Sequence, residues 1–463
     1  MRLVHRFAAL VTAVFTPLAI ASNYDGALDT TFGAGGLADY ASSGGLLAPN
    51  ALVRQPDGKL IVVGETAVDC NPACANSADF AMRLLPDGSP DPTWPIRTYA
   101  VPSSGAYAAA QMDSGDLLIA GRSEDGFGTI TRVSDDLWWT LASPVAGEYD
   151  AVAALPGAGF IAVGSMVSPA GDRDFFIAHY GASDVLLASA TVSFNAGGDN
   201  DDWVYAVAVA GNRIYVIGTV DLEPNADGTP NVDCGLAVLT LDPLALDPSW
   251  DANSPSPGRT RFGFDANFDA SSADICRAIA VQRDGRVVVG GELYQYFDGT
   301  SASLWGLARF LPSGHADSDF GAGTPSQTVG FYEALGAGQY NEIGTLAIQQ
   351  DGGIVFAGYA TILNEGSAPA DFGVGRVDSA GHTDPSFGTT RPGVSTIGYL
   401  FDEGQGGIGS TQYATAMVLD AGRPVVVGVN YRYPDSDGLI DTMLVRLESD
   451  AIFADGFDAA GTR

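Results

Sequence analysis

A short apolar stretch that ends in glycine occurs seven times in this chain of 463 residues, and it constrains the fold more than any other feature. The stretch is rich in β-branched residues, which favour a strand. Successive copies lie 43 to 73 residues apart, so each belongs to a separate structural unit. The copies end at Gly64, Gly121, Gly164, Gly218, Gly291, Gly358 and Gly428.

Each copy has similar neighbours. A strand with alanine at alternate positions precedes it, and turns such as Pro56-Asp57-Gly58 join the two into a hairpin. A polar loop, a third strand such as "FAMRLL" and a fourth, less regular strand follow. The glycine at the end of the second strand indicates a bulge or a close approach of two backbones.

Four short antiparallel strands per unit, with no helical pattern between units, predict an all-β chain that folds as a single β-propeller of seven four-stranded blades. The segment "DGALDTTFGAGGLADYA" (25 to 41) corresponds to the end of a unit that lacks its first three strands. We therefore expect the N-terminal strand to complete the last blade and close the propeller. An open β-solenoid and two smaller propellers are the alternatives.

Two phrases, "QPDGKLIVVG" and "LDTTFGAGG", resemble the delta-60 repeat, a bacterial family of secreted or surface proteins described as β-propeller-like. The resemblance is clear around Gly64, Gly291 and Gly358 and weaker around Gly121, Gly164 and Gly218. It implies a propeller fold and export. It implies no reaction and no catalytic residues.

The first residues predict export. Arg2 and Arg6 precede the apolar run "FAALVTAVFTPLAI", and the small residues Ala19 and Ala21 offer a cleavage site before Ser22. We expect a signal peptide over 1–21, a propeller over 22–458 and a C-terminal tail over 459–463. The protein is then periplasmic, secreted or on the cell surface, with no membrane span. The formal net charge of −33 disfavours nucleic acid as a partner.

Four cysteines fit an oxidising compartment. Cys70 and Cys74 are close enough in sequence to form a local disulfide, and Cys234 would then pair with Cys276. A zinc site is the competing interpretation, but the spacing is not C-x2-C and no histidine lies near.

Some polar residues recur at equivalent positions of the repeat. A residue needed in every unit is expected to stabilise the fold rather than to form a single active site. We expect each recurring aspartate to accept backbone N–H groups in its own turn. The aspartates are Asp29, Asp91, Asp247, Asp317 and Asp384, and the recurring arginines are Arg83, Arg132, Arg309, Arg376 and Arg446.

Two loops carry oxygen ligands at spacings that resemble a calcium loop. The first offers Glu223, Asn225 and Asp227, and the second offers Asp435, Asp437 and Asp441. Solvated turns rich in Asp and Gly are the alternative interpretation of both. Calcium is the one cofactor that the sequence suggests.

The residues that begin the innermost strands differ from unit to unit, as one asymmetric ligand site at the mouth of a central funnel would require. Sequence drift would also produce such variation. The residues predicted at this mouth are Asn50, Tyr107, Asp150, Tyr205, Arg277, Glu342 and Tyr413.

The sequence contains no H-E-x-x-H and no G-x-S-x-G motif, and it offers no catalytic residues. It favours a monomeric, non-enzymatic binding or scaffold module for a glycan or a protein. The alternative is a hydrolase or lyase that acts on polysaccharide, with carboxylates such as Asp150 and Glu342 in the funnel.

Overall fold

The computed structural model describes residues 25–40, 45–68, 75–94, 96–99, 103–134, 137–157, 159–224, 228, 231–264, 272–297, 300–321, 326–329, 341–361, 370–390, 392–397, 411–431 and 440–449. The predicted signal peptide, the predicted tail, Cys70 and Cys74 lie outside these ranges. Within them the regular secondary structure is entirely β, apart from turns and bends. In this part of the chain there is no helix long and apolar enough to cross a lipid bilayer.

The strands follow the repeat. In chain order they are β1 (Leu37–Tyr40), β2 (Gly45–Arg54), β3 (Leu60–Val68), β4 (Ala75–Leu84), β5 (Arg97–Tyr99), β6 (Ser103–Gln111), β7 (Leu117–Ser123), β8 (Phe127–Ser134), β9 (Leu137–Ala146), β10 (Ala151–Leu155), β11 (Gly159–Val167), β12 (Arg173–Tyr180), β13 (Leu186–Val192), β14 (Asp202–Ala210), β15 (Arg213–Asp221), β16 (Val232–Thr240), β17 (Ala245–Leu246), β18 (Arg259–Phe262), β19 (Ser272–Val281), β20 (Val287–Phe297), β21 (Thr300–Phe310), β22 (Ser326–Val329), β23 (Asn341–Ile348), β24 (Ile354–Thr361), β25 (Ala370–Val377), β26 (Val394–Ile397), β27 (Thr411–Asp420), β28 (Arg423–Tyr431) and β29 (Ile440–Arg446).

These strands form antiparallel sheets of the kind that build propeller blades, which confirms the predicted unit. We number the units in chain order: unit one is β2 to β5, unit two β6 to β9, unit three β10 to β13, unit four β14 to β18, unit five β19 to β22, unit six β23 to β26, and unit seven β27 to β29. Strand β1 pairs antiparallel with β29, with Leu37 opposite Val445. One parallel bridge, between Leu46 and Ile440, links unit one to unit seven.

The recurring glycine lies within the second strand of each unit rather than at its end, because strands such as β3 and β20 continue beyond Gly64 and Gly291. A Cβ atom at Gly64 would lie 2.0 Å from the carbonyl oxygen of Ala48, and one at Gly358 would lie 1.7 Å from that of Glu342. No side chain fits such a gap. The ladder between the first two strands shifts at this level in six units, as between Pro49 and Ala51, so both expectations for this glycine are confirmed.

The core lies between neighbouring sheets. Seven buried clusters each combine residues from two units, such as Val63 of unit one with Ile119 of unit two. One of them joins Val427 of unit seven to Val62 of unit one. Each sheet therefore covers a face of the next, which is how a short sheet buries both of its sides.

The recurring aspartates and arginines bind one another. Asp91 Oδ2 accepts from Arg83 Nε at 2.9 Å, while its Oδ1 accepts from the backbone N–H of Thr93 at 2.9 Å. Asp317 binds Arg309 in the same way, and Asp384 binds its own turn and the Nη1 of Arg376. The architectural interpretation of these aspartates is confirmed. In two units one partner of this ion pair comes from another position of the repeat: Asp247 binds Arg213, and Arg132 binds Asp116.

Candidate ligand-binding site

Six of the seven predicted mouth residues lie on the first strands, and these strands contact one another in succession, including β27 with β2. We call Asn50, Tyr107, Asp150, Tyr205, Arg277, Glu342 and Tyr413 the first-strand cluster. Four members, Asn50, Tyr107, Tyr205 and Arg277, are the residues extruded where the ladder shifts. Asp150 directly precedes β10.

Glu342 and Tyr413 occupy a different level. The ladder shifts around Gly344 in β23 and around Thr415 in β27, so both predicted residues stand two positions before the extruded one. They nevertheless approach their neighbours. Glu342 Oε1 lies 2.5 Å from Arg277 Nε, and the rings of Tyr413 and Tyr431 lie 5.9 Å apart.

One side of the cluster centres on Asp150. Its Oδ2 accepts hydrogen bonds from the backbone N–H and the hydroxyl of Ser165, at 3.0 and 3.1 Å. Burial, and then the charge of Glu148, raise the pKa of Asp150 to about 8, although the Ser165 bonds and Arg173 oppose this rise. Asp150 is therefore largely a neutral acid at pH 7, able to donate a hydrogen bond.

Aromatic and cationic side chains surround this acid. Arg173 lies over the ring of Trp203, with its Cζ 4.2 Å from the ring centroid, and its Nη1 is 3.4 Å from Glu148 Oε1. Burial, and then the charges of Glu148, Glu65 and Asp150, raise the pKa of Tyr107 to about 12. The phenol of Tyr107 thus keeps its proton at any physiological pH.

The other side centres on Arg277. Its guanidinium lies 5.0 Å from the centroid of Tyr205 and faces two carboxylates, Glu342 and Glu292, the second at 3.8 Å. Burial, and then the charge of Glu342, raise the pKa of Glu292 to about 7. One cation shared by two buried acids favours a state in which one acid holds a proton.

Asn50 joins two units at this level. Its Nδ2 donates to the carbonyl oxygen of Ala106 in unit two at 2.8 Å, and it lies 3.4 Å from Glu65 Oε1. Burial raises the pKa of Glu65, as does the charge of Asp79. The cluster and the residues that contact it therefore present phenols, guanidiniums and carboxyls, which are donors and acceptors suited to hydroxyl groups.

Sequence reasoning missed several residues of this site. Glu65 and Glu292 each follow a recurring glycine directly, so the signal was a variable residue next to a constant one. Glu148, Arg173, Trp203 and Tyr431 carried no signal of their own. Arg173 of unit three contacts Trp203 of unit four, whereas Tyr431 packs on Tyr413 within unit seven.

The two predicted calcium loops fall mostly outside the described residues. Asn225, Asp227, Asp435 and Asp437 lie there, whereas Glu223 is exposed and Asp441 is buried opposite Asn430. Among the described residues there is no group of three or more His, Cys, Asp or Glu side chains placed to hold a metal ion. Calcium binding by these loops stays a prediction.

The predicted pairing of two cysteines is confirmed. Cys234 of β16 and Cys276 of β19 form a disulfide with their Cα atoms 5.4 Å apart. It ties unit four to unit five beside the buried core between them.

A family model described as "Domain of unknown function (DUF5122) beta-propeller" matches residues 55–93 and 282–320. These segments contain the second and third strands of units one and five. Together with the repeated four-stranded sheets, this match shows a repeat protein of the β-propeller type. No curated protein sequence is significantly similar to the chain.

Solved structures with related topology are distant. Drosophila Semaphorin 2a is 9% identical, with a TM-score of 0.48 over 90% of this chain and 76% of that one. The extracellular domains 1–2 of Drosophila Semaphorin 1a are 9% identical, with a TM-score of 0.44 over 89% of this chain and 88% of that one. An exo-1,5-alpha-L-arabinanase from a bovine ruminal metagenomic library is 12% identical, with a TM-score of 0.31 over 65% and 92%. Similarity this weak carries no argument about ligand or reaction.

Proposed function

We propose that the protein is an exported, non-enzymatic binding module: a single closed propeller of seven blades that holds a glycan at the first-strand cluster. Closure is supported by the pairing of β1 with β29 and by the buried cluster shared by units seven and one. Export is supported by the apolar N-terminal segment and by the disulfide.

One observation carries the choice of ligand. Arg277 is held between the ring of Tyr205 and the carboxylate of Glu342, so a flat apolar face and paired polar groups lie side by side. Sugars present the same combination, since their C–H faces pack on aromatic rings while their hydroxyls bond to charged groups. The neutral acid Asp150 and the phenol of Tyr107 extend this polar surface.

The test is retention of the secreted chain on a panel of immobilised polysaccharides. We expect retention on at least one, and Arg277→Gln should weaken it about tenfold or more, because a charge-assisted contact is lost. Arg261→Gln is the matched control, since Arg261 also pairs with a carboxylate, Asp233, but lies away from the cluster. Equal retention of both variants contradicts the proposed site, and retention on no polysaccharide favours a protein ligand.

A second candidate function rests on Asp150. A buried acid whose pKa is about 8, next to the carboxylate of Glu148, resembles the acid and base pair of glycoside hydrolysis. Asp150 and Glu342, the pair suggested by the sequence, instead interact with different partners. Soluble oligosaccharides released by the wild-type chain but not by Asp150→Asn or Glu148→Gln would favour a hydrolase over a binding module.

A further inference from the structure

The charges of the first-strand cluster and of the residues that contact it are unevenly paired. The three arginines there, Arg122, Arg173 and Arg277, each face a carboxylate. Arg122 and Arg173 approach Glu148, with nitrogen to oxygen distances of 3.9 and 3.4 Å. Arg277 Nε lies 2.5 Å from Glu342 Oε1. In the part of the chain that the structure describes, no guanidinium of this group is therefore left over for an acidic ligand.

Two carboxyls of the group have no arginine in ion-pair contact. Glu65 is partly exposed, and its one hydrogen bond to a described residue comes from Asn50 Nδ2 at 3.4 Å. Asp150 is also partly exposed and accepts hydrogen bonds only from Ser165. Within the described ranges neither acid forms an ion pair. Acidic groups are thus in excess here, and both of them have accessible surface.

A tyrosine lies next to both acids, in a space that a glycine keeps open. A Cβ atom at Gly105 would lie 2.5 Å from Tyr107 Cε1 and 2.9 Å from Glu65 Oε1, so the ring and the carboxylate share the volume that a side chain there would fill. After burial, the charges of Glu148, Glu65 and Asp150 raise the pKa of this tyrosine, so all three carboxyls lie near its phenol. The ring and the acids therefore form one surface where units one, two and three meet.

Unit two has the one glycine at this level of the first strands. The residues whose carbonyl oxygen meets the recurring glycine are, from unit one to unit seven, Ala48, Gly105, Glu148, Trp203, Ile275, Glu342 and Tyr413. The other six have a side chain at this level, so the space beside Tyr107 belongs to one side of the cluster. A feature present in one unit of seven favours a role in ligand binding over a role in the fold.

The segments that join strands at the end where the first strands begin add negative charge. Residues 265–271 precede β19, residues 398–410 precede β27, and residues 432–439 link β28 to β29. Together these segments contain six acidic residues and one arginine, Arg432. A cation is drawn toward an acidic surface of this kind, and an anion is repelled from it.

We infer that the glycan held by the first-strand cluster carries free amino groups, as a polymer of glucosamine does, and that one ammonium group lies between Tyr107, Glu65 and Asp150. The inference rests on the proposed function. An ammonium group is attracted to carboxylates and to an aromatic ring at the same time. A uronic acid would bring its negative charge next to the two acids that have no arginine, and an N-acetylated sugar would give them no counter-charge.

The test is isothermal titration of the full secreted chain with the hexamer of β-1,4-linked D-glucosamine and with the N-acetylated hexamer. We expect the glucosamine hexamer to bind at least about tenfold more tightly at about pH 6, where its amines carry charge. Glu65→Gln should reduce this preference about fivefold or more and leave the affinity for the N-acetylated hexamer unchanged, which shows that the variant is folded. Asp199→Asn is the matched control, because it removes the same charge from an exposed position between β13 and β14 and should change the preference less than about twofold.

Proton release distinguishes binding at this place from general attraction to an acidic protein. Burial, and then the charge of Glu148, raise the pKa of Asp150 to about 8, while Ser165 and Arg173 oppose the rise. An ammonium group beside Asp150 favours the ionised carboxylate, so binding at about pH 6 should release up to about one proton. Titration in two buffers with different enthalpies of ionisation measures the release, and Asp150→Asn should remove most of it.

Equal affinity for the two hexamers, an unchanged preference in Glu65→Gln, or an equal loss of preference in Asp199→Asn would each overturn the inference. The proposed function is tested separately. Binding of the N-acetylated hexamer that is as tight as that of the glucosamine hexamer and is weakened by Arg277→Gln would support a glycan site and reject the ammonium. Binding of neither hexamer, with retention on another polysaccharide, would also overturn the inference and leave the proposed function standing.

Discussion

Asp29 and Arg446, which lie 417 positions apart in sequence, form an ion pair in which Arg446 Nε donates to Asp29 Oδ2 at 2.7 Å. The same oxygen accepts from Arg423 Nη1 at 2.6 Å, and the aspartate is 1% exposed. The N-terminal segment is thus held to unit seven by a buried charge as well as by the pairing of β1 with β29.

Removing that charge should destabilise the fold strongly. Asp29→Ala removes the acceptor that Arg446 Nε and Arg423 Nη1 share, and breaking a buried pair from one side typically costs about 3 to 5 kcal/mol. Denaturant unfolding measures the loss. Asp57→Ala is the control, because Asp57 pairs with Lys59 in a turn where its side chain is 57% exposed, and it should cost less than about 1 kcal/mol. Similar losses for both variants would show that Asp29 does not anchor the N-terminal segment.

The recurring glycine predicts a second outcome. Gly358→Ala places a methyl group 1.7 Å from the carbonyl oxygen of Glu342, so the two inner strands of unit six must separate. We expect a loss of at least about 3 kcal/mol in the free energy of unfolding. Gly181→Ala provides the contrast, because its Cβ would meet Leu187 at an ordinary 3.4 Å and should change stability by less than about 1 kcal/mol. A tolerated Gly358→Ala would contradict the close approach.

Stability should fall as pH rises from about 4 to about 8. Burial raises the pKa of Asp150 from 3.8 to about 8, and in that interval the unfolded chain has lost a proton that the folded chain keeps. The free energy of unfolding therefore decreases with pH. Asp202 contributes in the same direction, since burial raises its pKa to about 7.

The Asp150→Asn variant isolates this effect. Its stability relative to wild type should increase with pH between about 4 and 8 and stay constant above, as measured by urea unfolding at several pH values. A relative stability that is independent of pH would mean that the carboxyl of Asp150 titrates normally in the folded protein.

The disulfide should contribute substantially to stability. Cys234 and Cys276 are separated by 42 residues, and closing a loop of that length in the unfolded chain is worth about 4 kcal/mol in the chain-entropy model. We expect the double variant Cys234→Ala, Cys276→Ala to lose a comparable amount, and reduced wild type to behave like it. Full stability of the reduced protein would show that packing between units four and five suffices.

The scaffold was predictable because each repeat carries the same order of strands, turns and glycine. The glycines mark the places where two backbones nearly touch, so the positions of the inner hairpins followed from the spacing of Gly64, Gly291 and the others. The pairing of Cys234 with Cys276 followed from elimination once Cys70 and Cys74 were assigned to each other.

The site was only partly predictable. The distance in sequence from the recurring glycine does not reveal which residue of the first strand is extruded. Glu342 and Tyr413 were therefore predicted at the mouth, whereas the structure extrudes Gly344 and Thr415. Contacts such as that of Arg173 with Trp203 depend on how neighbouring sheets pack, and no local pattern encodes them.

The register shift between the first two strands of a unit affects how the binding specificity of such a protein can evolve. At that level one residue per first strand leaves the hydrogen-bonded pairing, as Asn50, Tyr107 and Arg277 do, so its side chain is not matched to a partner across the strands. Substitutions there change a side chain without removing a hydrogen bond of the inner ladder. Duplicated units can thus diverge independently in specificity, and the same positions are the natural ones to randomise in a library selected for new ligands.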